Sequence, residues 1–526
     1  MSANLTYRPL DDIGINGLNT QANPASLDAS WLTDATNVVL RETGRISFRK
    51  GLKQNVLSNT FGASSAALPI GAVAENKGDD AILAAIGGNM YTVDFTTPST
   101  PWTSSFSTGA SSSDWQMISF KNETYCVQSG AAPVEYDNGT WSLLSASTGY
   151  NAPTGVTTFD PSCGMGYYGR LWVGGITEEK DVIYYSDTLN AHKWSSGAAG
   201  TIDLKTVWGS DEIVAIAPFY GQLVIFGKRN IVIYQGVTDP NTMSLVEVIR
   251  GIGCASRDTV QAVGDDLLFL SNTGLRSLSR TTELDKVPLV DYSVNIKDTI
   301  IRNTGQDVNS KAIYIENEGV YVLIFPNINV TYAFDMKHLT PNKVPRVTKW
   351  SFNGTKIPSS FAYTESKGLL IGQEAGSIAT YEGYYDKNYV SAGVYTNVSY
   401  TVNFKTIWID LGQSVIASLL KKMIAVFEGG SGLTIGVQWY KDFGTIPSKS
   451  STFSLNPVSS GISYLFGSAT ALYGTAKYAP YYSLKEYSVP LSGSAKYFQL
   501  EVTTETNGQV ASLQDMTLLF KQGKIR

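Results

Sequence analysis

AILAAIGGNMYTVDF (residues 81–95), ETYCVQSGAAPVEYD (123–137), GRLWVGGITEEKDVIYYS (169–186), GQLVIFGKRNIVIYQG (221–236), DDLLFLSNTGLRSLSR (265–280), VYVLIFPNINVTYAFD (320–335) and KGLLIGQEAGSIATYEG (367–383) share one pattern. Each is an apolar strand, a short turn and a second apolar strand. One turn residue from each, Gly87, Ser129, Gly174, Gly227, Asn272, Asn327 and Gln373, gives successive spacings of 42, 45, 53, 45, 55 and 46. A hairpin recurring at about 40–50 residues is the spacing of a β-propeller blade. Propellers arrange four-stranded sheets radially around a channel, so only short edges stay open. The pattern predicts an all-β chain: a β-propeller of about six to seven blade-like units, an extended N-terminal arm and a C-terminal antiparallel β-sandwich-like domain.

Composition agrees. Hydrophobic residues make up 43% of the 526 and charged residues 16%, against about a quarter charged in ordinary domains. Abundant Gly (49) and Tyr (30) fit strands, turns and broad contact surfaces rather than helices or disorder. Net charge is −5 with no basic run, so no phosphate-gripping footprint is expected. Cys126, Cys163 and Cys254 lack ligand spacing and are expected to be buried thiols. The start MSANLTYRPLDD has no basic stretch before an apolar core, and no apolar run reaches a membrane-spanning length. The expectation is a protein without a signal peptide or membrane segment, made in a reducing cytoplasm.

Residues 1–60 read as the arm, broken by Gly14, Gly17 and Pro24, with strands at Asn37–Leu40 and Arg45–Phe48. These strands are expected to close or flank the propeller of residues 61–385. The long blade connection at Ser293–Asn303 predicts a short helix capped by Ser293, with Ile296 and Ile300 on one face. Residues 386–526 carry cleaner alternation: Leu433, Ile435, Val437 and Trp439 fall on one side of a strand, and Phe498, Leu500 and Val502 on one side of another. Between them, residues 450–483 hold one charge, Lys477, among Ser, Gly, Ala and Tyr. A loop of that composition suits a contact surface.

Catalytic and cofactor signals are sparse. No zinc-ligand, phosphate-loop or nucleophile-elbow spacing occurs, and His192 and His338 have no ligand partner in sequence. No catalytic, cofactor or metal residue is assigned. The acidic pairs Asp79-Asp80, Glu178-Glu179, Asp211-Glu212 and Asp265-Asp266 sit where hairpins turn and are expected to be solvated. YYSDTLNAHKW (Tyr184–Trp194) loosely resembles the Asp-box hairpin of sialidases; that motif is a structural turn, and no tyrosine–glutamate pair or arginine triad accompanies it.

In the arm, Gly17-Leu18-Asn19-Thr20-Gln21-Ala22-Asn23-Pro24 is followed by Leu32-Thr33-Asp34-Ala35-Thr36-Asn37-Val38 and then by Gly44-Arg45-Ile46-Ser47-Phe48-Arg49-Lys50-Gly51. This order resembles the opening of the tail nozzle proteins of short-tailed phages, also called tail tubular protein B. Tyr332–Asp335 with Lys349-Trp350-Ser351 resembles a late propeller blade of that family, and Phe404–Gln413 its strand-rich region. The resemblance implies a structural virion protein and not an enzyme: a homohexamer at the distal tail, below an adaptor ring, forming the last part of the DNA conduit and its gate. It implies tail fibres as further partners, and DNA that passes without specific binding. An acidic wall that repels its cargo agrees with this.

Candidate assembly or gate contacts are Trp31, read as an anchor of the arm, and Tyr464, Phe466, Tyr473, Tyr478 and Tyr481 of the 450–483 loop. Two other readings stay open: a propeller tail component that binds or cleaves glycans, and a propeller scaffold for other proteins.

Overall fold

The computed structural model describes residues 5–41, 45–56, 67–110, 114–278, 291–353, 356–391, 394–411, 416–456 and 484–523. Among the described residues, the elements are strands apart from short helical pieces. Each of the seven hairpins forms the second and third strands of a blade. Continuous apolar runs explain this, because the middle strands are covered on both faces by neighbouring blades. Ile82–Ile86, Arg170–Gly174 and Val320–Phe325 are buried at every position.

Blades 1 to 4 are four-stranded antiparallel sheets within residues 70–107, 116–143, 163–203 and 213–250. Blade 5 shows three strands within 261–277, and blade 6 spans 311–350. Blade 7 takes three strands from 358–381 and its fourth, Leu52–Gln54, from the arm, paired through Ala379↔Gln54 and Tyr381↔Leu52. The first strand of each blade is innermost. That of blade 7 (Pro358–Thr364) lies against that of blade 1 (Ile70–Glu75), which closes the ring at seven.

The arm does more than close the ring. Trp31–Thr36 pairs with Thr401–Thr406, and a parallel pairing of Gly17 with both Val347 and Trp31 ties it to blade 6. One sheet therefore runs from blade 6 through the arm into the C-terminal domain. Val38–Arg41, Arg45–Phe48 and Thr6–Pro9 join the opposing sheet beside Ala511–Lys521. The sandwich is thus wider than residues 386–526, while the hairpin Asp386–Ser391 and Val394–Val398 extends the sheet of blade 7. The predicted inward positions Leu433, Ile435, Val437, Trp439, Phe498, Leu500 and Val502 are all buried in the sandwich core.

The helix of the blade 5–6 connection spans Lys297–Gln306 after a single turn at Val294–Ile296, with Ile296 and Ile300 buried. Ser293 makes no side-chain cap. Its hydroxyl donates to Asp291 and accepts from the Leu275 amide, because the nearer carboxylate captures it. Among the described residues, no helix is long and apolar enough to cross a membrane.

Candidate functional site

Among the described residues, polar groups gather at two junctions between larger parts of the fold. The first is the joint between arm, propeller and sandwich. Asn37 is fully buried with φ +59°, which is why the strand expected at Asn37–Leu40 begins one residue later. Its amide hydrogen goes to the Lys349 carbonyl at 2.8 Å. Its Oδ1 accepts from Arg49 Nε and from the Ser351 amide, each at 2.8 Å. Its Nδ2 donates to Ser351 Oγ and to the Thr401 carbonyl, each at 2.7 Å. Every polar atom of this side chain is therefore satisfied, as burial requires.

Arg49 is likewise buried. Its guanidinium lies 4.0 Å from the centre of the Tyr400 ring and 4.8 Å from that of Phe352. It donates to the Lys50 carbonyl at 2.6 Å and the Ser351 carbonyl at 3.0 Å, with Asp386 at 3.8 Å as counter-charge. Two glycines make room: a Cβ on Gly17 (φ +81°) would lie 2.7 Å from the Val347 carbonyl oxygen, and one on Gly51 would overlap the Tyr385 carbonyl. Gly17, Asn37, Arg49 and Gly51 thus meet where arm, propeller and sandwich join.

The second place is the propeller axis. Arg257, in the single turn Arg257–Thr259 before blade 5, reaches Asp114 Oδ1 at 2.9 Å, ahead of blade 2, and the Ser162 carbonyl, ahead of blade 3. Lys311, which opens blade 6, bonds Asp114 at 2.8 Å and Asp258 at 2.5 Å. The turn is fixed from behind by Ser256 Oγ donating to the Ser310 carbonyl and by Tyr321 donating to the Thr259 carbonyl, each at 2.7 Å. Burial disfavours the charges of Arg257, Asp258 and Lys311, but opposite neighbours outweigh it. The Asp258 carboxyl is held well below the usual range by Arg257 and Lys311, and both cations are pushed above theirs.

A cavity of ≈ 380 Å³ beside this cluster is lined by Ser162, Lys180, Glu212 and Lys228, and one of ≈ 220 Å³ by Gly71, Met117, Gln261 and Ser360. Arg257 and Asp258 line both, so the ion cluster divides the axial space of a single propeller. Paired in this way, Asp258 stays ionised near neutrality and supplies no proton there.

Trp31 is half-buried against the chain's own main core, beside Leu32 and Ala35. Tyr464, Phe466, Tyr473, Tyr478 and Tyr481 lie outside the described residues. Asp187 accepts from the amides of Thr188 and Ala198, each at 2.9 Å, in the connection between the third and fourth strands of blade 3, with Trp194 buried beneath; it is a structural turn. Asp211 similarly caps the amides of Lys228 and Arg229.

Sequence reading found no tyrosine–glutamate pair, yet Tyr125 bonds Glu123 and lies 3.5 Å from Glu135, which also holds His192 at 2.9 Å. Tyr125 is wholly buried in the core between blades 2 and 3, and burial pushes its phenol far above the ordinary range, so substrate has no access to it. His338 Nδ1 faces Asp335 at 3.2 Å on one strand. The three cysteines are buried and unpaired. Among the described residues, no group of three or more His, Cys, Asp or Glu side chains is placed to hold a metal ion.

Sequence reading missed Asp114, Arg257 and Lys311. Each is a charge at or just before the innermost strand of a blade. No protein-family model matches this chain, and no curated protein matches it.

Proposed function

We propose that this chain is a structural virion protein, one copy of a homohexameric tail nozzle that forms the distal DNA conduit and the gate retaining the genome until host contact. The observation that carries the reading is the joint at Asn37 and Arg49. Gly17, Leu18, Ala35, Asn37, Val38, Arg49 and Gly51, whose order resembles the nozzle family, pack where arm, propeller and sandwich meet. A conduit wall must pass load between its domains without hinging, and a buried joint with satisfied polar groups does so.

The divided axis of the single propeller supports the same reading, since it favours a passage between copies over one through each copy. The net charge of −5 favours a duplex that slides past the wall. Partners on this reading are further copies, an adaptor ring above, tail fibres, and DNA held without specific contacts.

Negative-stain electron microscopy of the concentrated, purified chain tests it. Six-fold rings with a central hole are expected. Isolated single-propeller discs that bind or cleave polysaccharide in a glycan screen would replace the nozzle with a glycan-handling propeller.

A further inference from the structure

One turn of the sandwich adopts a backbone its residues disfavour. Between the strands Thr434–Lys441 and Lys449–Ser454, Asp442 and Phe443 have φ of +45° and +64°, closed by Gly444 N–H to the Lys441 carbonyl at 2.8 Å. Two successive positive-φ residues suit Asn-Gly or Gly-Gly, which lack the steric conflict of Phe. Asp442 Oδ1 holds the turn in place by accepting from the amides of Lys496 and Tyr497 at 2.8 and 3.1 Å. The result lifts Phe443 into solvent at 51% exposure, on a platform of Trp408 and Tyr497 with ring centres 5.0 and 4.8 Å away, next to Ile446 at 80%. Backbone strain maintained by surrounding bonds points to a use for what it presents.

The opposite end of the same strands carries a matching hollow. A groove of ≈ 650 Å³ is lined by Thr401, Leu433, Thr434, Gly436, Thr503 and Glu505. A Cβ on Gly436 would sit 2.9 Å from Thr503 Oγ1, so a side chain there would make the groove shallower. The groove carries the carboxylate of Glu505, while the knob is flanked by Lys441, Lys449 and Lys496. The strand Thr434–Lys441 between them is eight residues long, about 25 Å, so the knob does not reach its own groove.

We infer that Phe443 and Ile446 of one copy seat in the Thr434–Gly436–Thr503 groove of the next copy, a head-to-tail contact between sandwiches. Such a contact uses two different patches per subunit and propagates around a ring or along a filament. It rests on the ring-subunit reading for its partner, a second copy of this chain.

The test uses the full chain with single cysteines, Ile446→Cys at the knob and Thr434→Cys at the groove; the native thiols are buried. Mixed in equal amounts, concentrated and oxidised with diamide, the two variants are expected to give a disulfide-linked dimer that neither gives alone. The doubly substituted chain is expected to give a ladder. A dimer from Ile446→Cys alone, or no dimer from the mixture, overturns the contact. Phe443→Gly, which tolerates the positive φ, is expected to keep a folded circular dichroism spectrum and to associate about tenfold more weakly; unchanged association also overturns it. Six-fold rings without the mixed disulfide would remove this contact and leave the nozzle reading in place. The mixed disulfide in open filaments without six-fold rings would support the contact and count against the nozzle.

Discussion

Arg49 donates through Nε to Asn37 Oδ1 at 2.8 Å, and that bond joins two arm segments to blade 6, blade 7 and the sandwich at once. Arg49→Ala would leave Asp386, itself buried, with the Leu52 amide at 2.9 Å and the Lys356 ammonium at 3.8 Å. Removing one partner of a buried ion pair costs about 3–5 kcal/mol. Arg49→Lys is expected to recover little of this, because an ammonium cannot make the three fork-like donations or stack between Tyr400 and Phe352. Thermal unfolding of Asn37→Ala, Arg49→Ala and the double variant checks the joint. Losses that simply add would mean that the two side chains do not act as one unit.

Gly51 makes a second, sharper prediction. Because a methyl group there overlaps the Tyr385 carbonyl, Gly51→Ala must displace backbone where blade 7 hands over to the sandwich. Its midpoint in urea is expected to fall as far as that of Arg49→Ala. Gly368 is the contrast, with φ +71° and nothing near a Cβ, so Gly368→Ala carries only the left-handed backbone term of about 1–2 kcal/mol. Equal effects at the two sites would show that space, rather than backbone conformation, is unimportant at Gly51.

The axial ion cluster sets an acid dependence. Asp258 titrates below its ordinary 3.8 in the folded chain, so the unfolded chain binds more protons as pH falls through that value. The stability it contributes is therefore complete above the ordinary value and is lost progressively below it. Glu374, raised by burial and by Asp307, works with the opposite sign in mild acid. Melting temperatures of the native chain and Asp258→Asn, followed from about pH 7 to about pH 3, are expected to converge toward the acid end. Parallel curves would mean that the cluster does not hold this carboxylate ionised.

How far the fold could be read from sequence follows from which pairings are local. The middle hairpins show because both strands and their turn lie within about 18 residues, and burial on both faces makes them continuously apolar. The pairing of Trp31–Thr36 with Thr401–Thr406 spans most of the chain, so no periodicity announces it, and the arm reads as flanking when it is part of the sandwich. Arg49 reads as an ordinary surface cation because its cage, Asn37, Phe352, Asp386 and Tyr400, is assembled from four separate segments. The axial cluster is hidden for the same reason: Asp114 and Arg257 are 143 residues apart. The adjacent acidic pairs that do stand out in sequence behave as turn residues, with Glu178 accepting the Thr157 amide and Asp79 accepting from Tyr136.

The buried thiols give a last expectation, on which the disulfide test also depends. Cys126 lies between blades 1 and 2, Cys163 between blades 3 and 4, and Cys254 between blades 4 and 5. Burial pushes Cys163 and Cys254 up to about 12 and Cys126 higher still, so none carries an appreciable thiolate fraction near neutrality. Thiolate is the reactive form. Ellman's reagent is therefore expected to find no fast-reacting thiol in the folded chain and all three after denaturation. Because each cysteine lies between different blades, reaction on the folded chain would report local opening. Peptide mapping of a labelled site would then locate the blade junction that opens first. Full labelling without denaturant would contradict the tight interblade packing on which the closed ring rests.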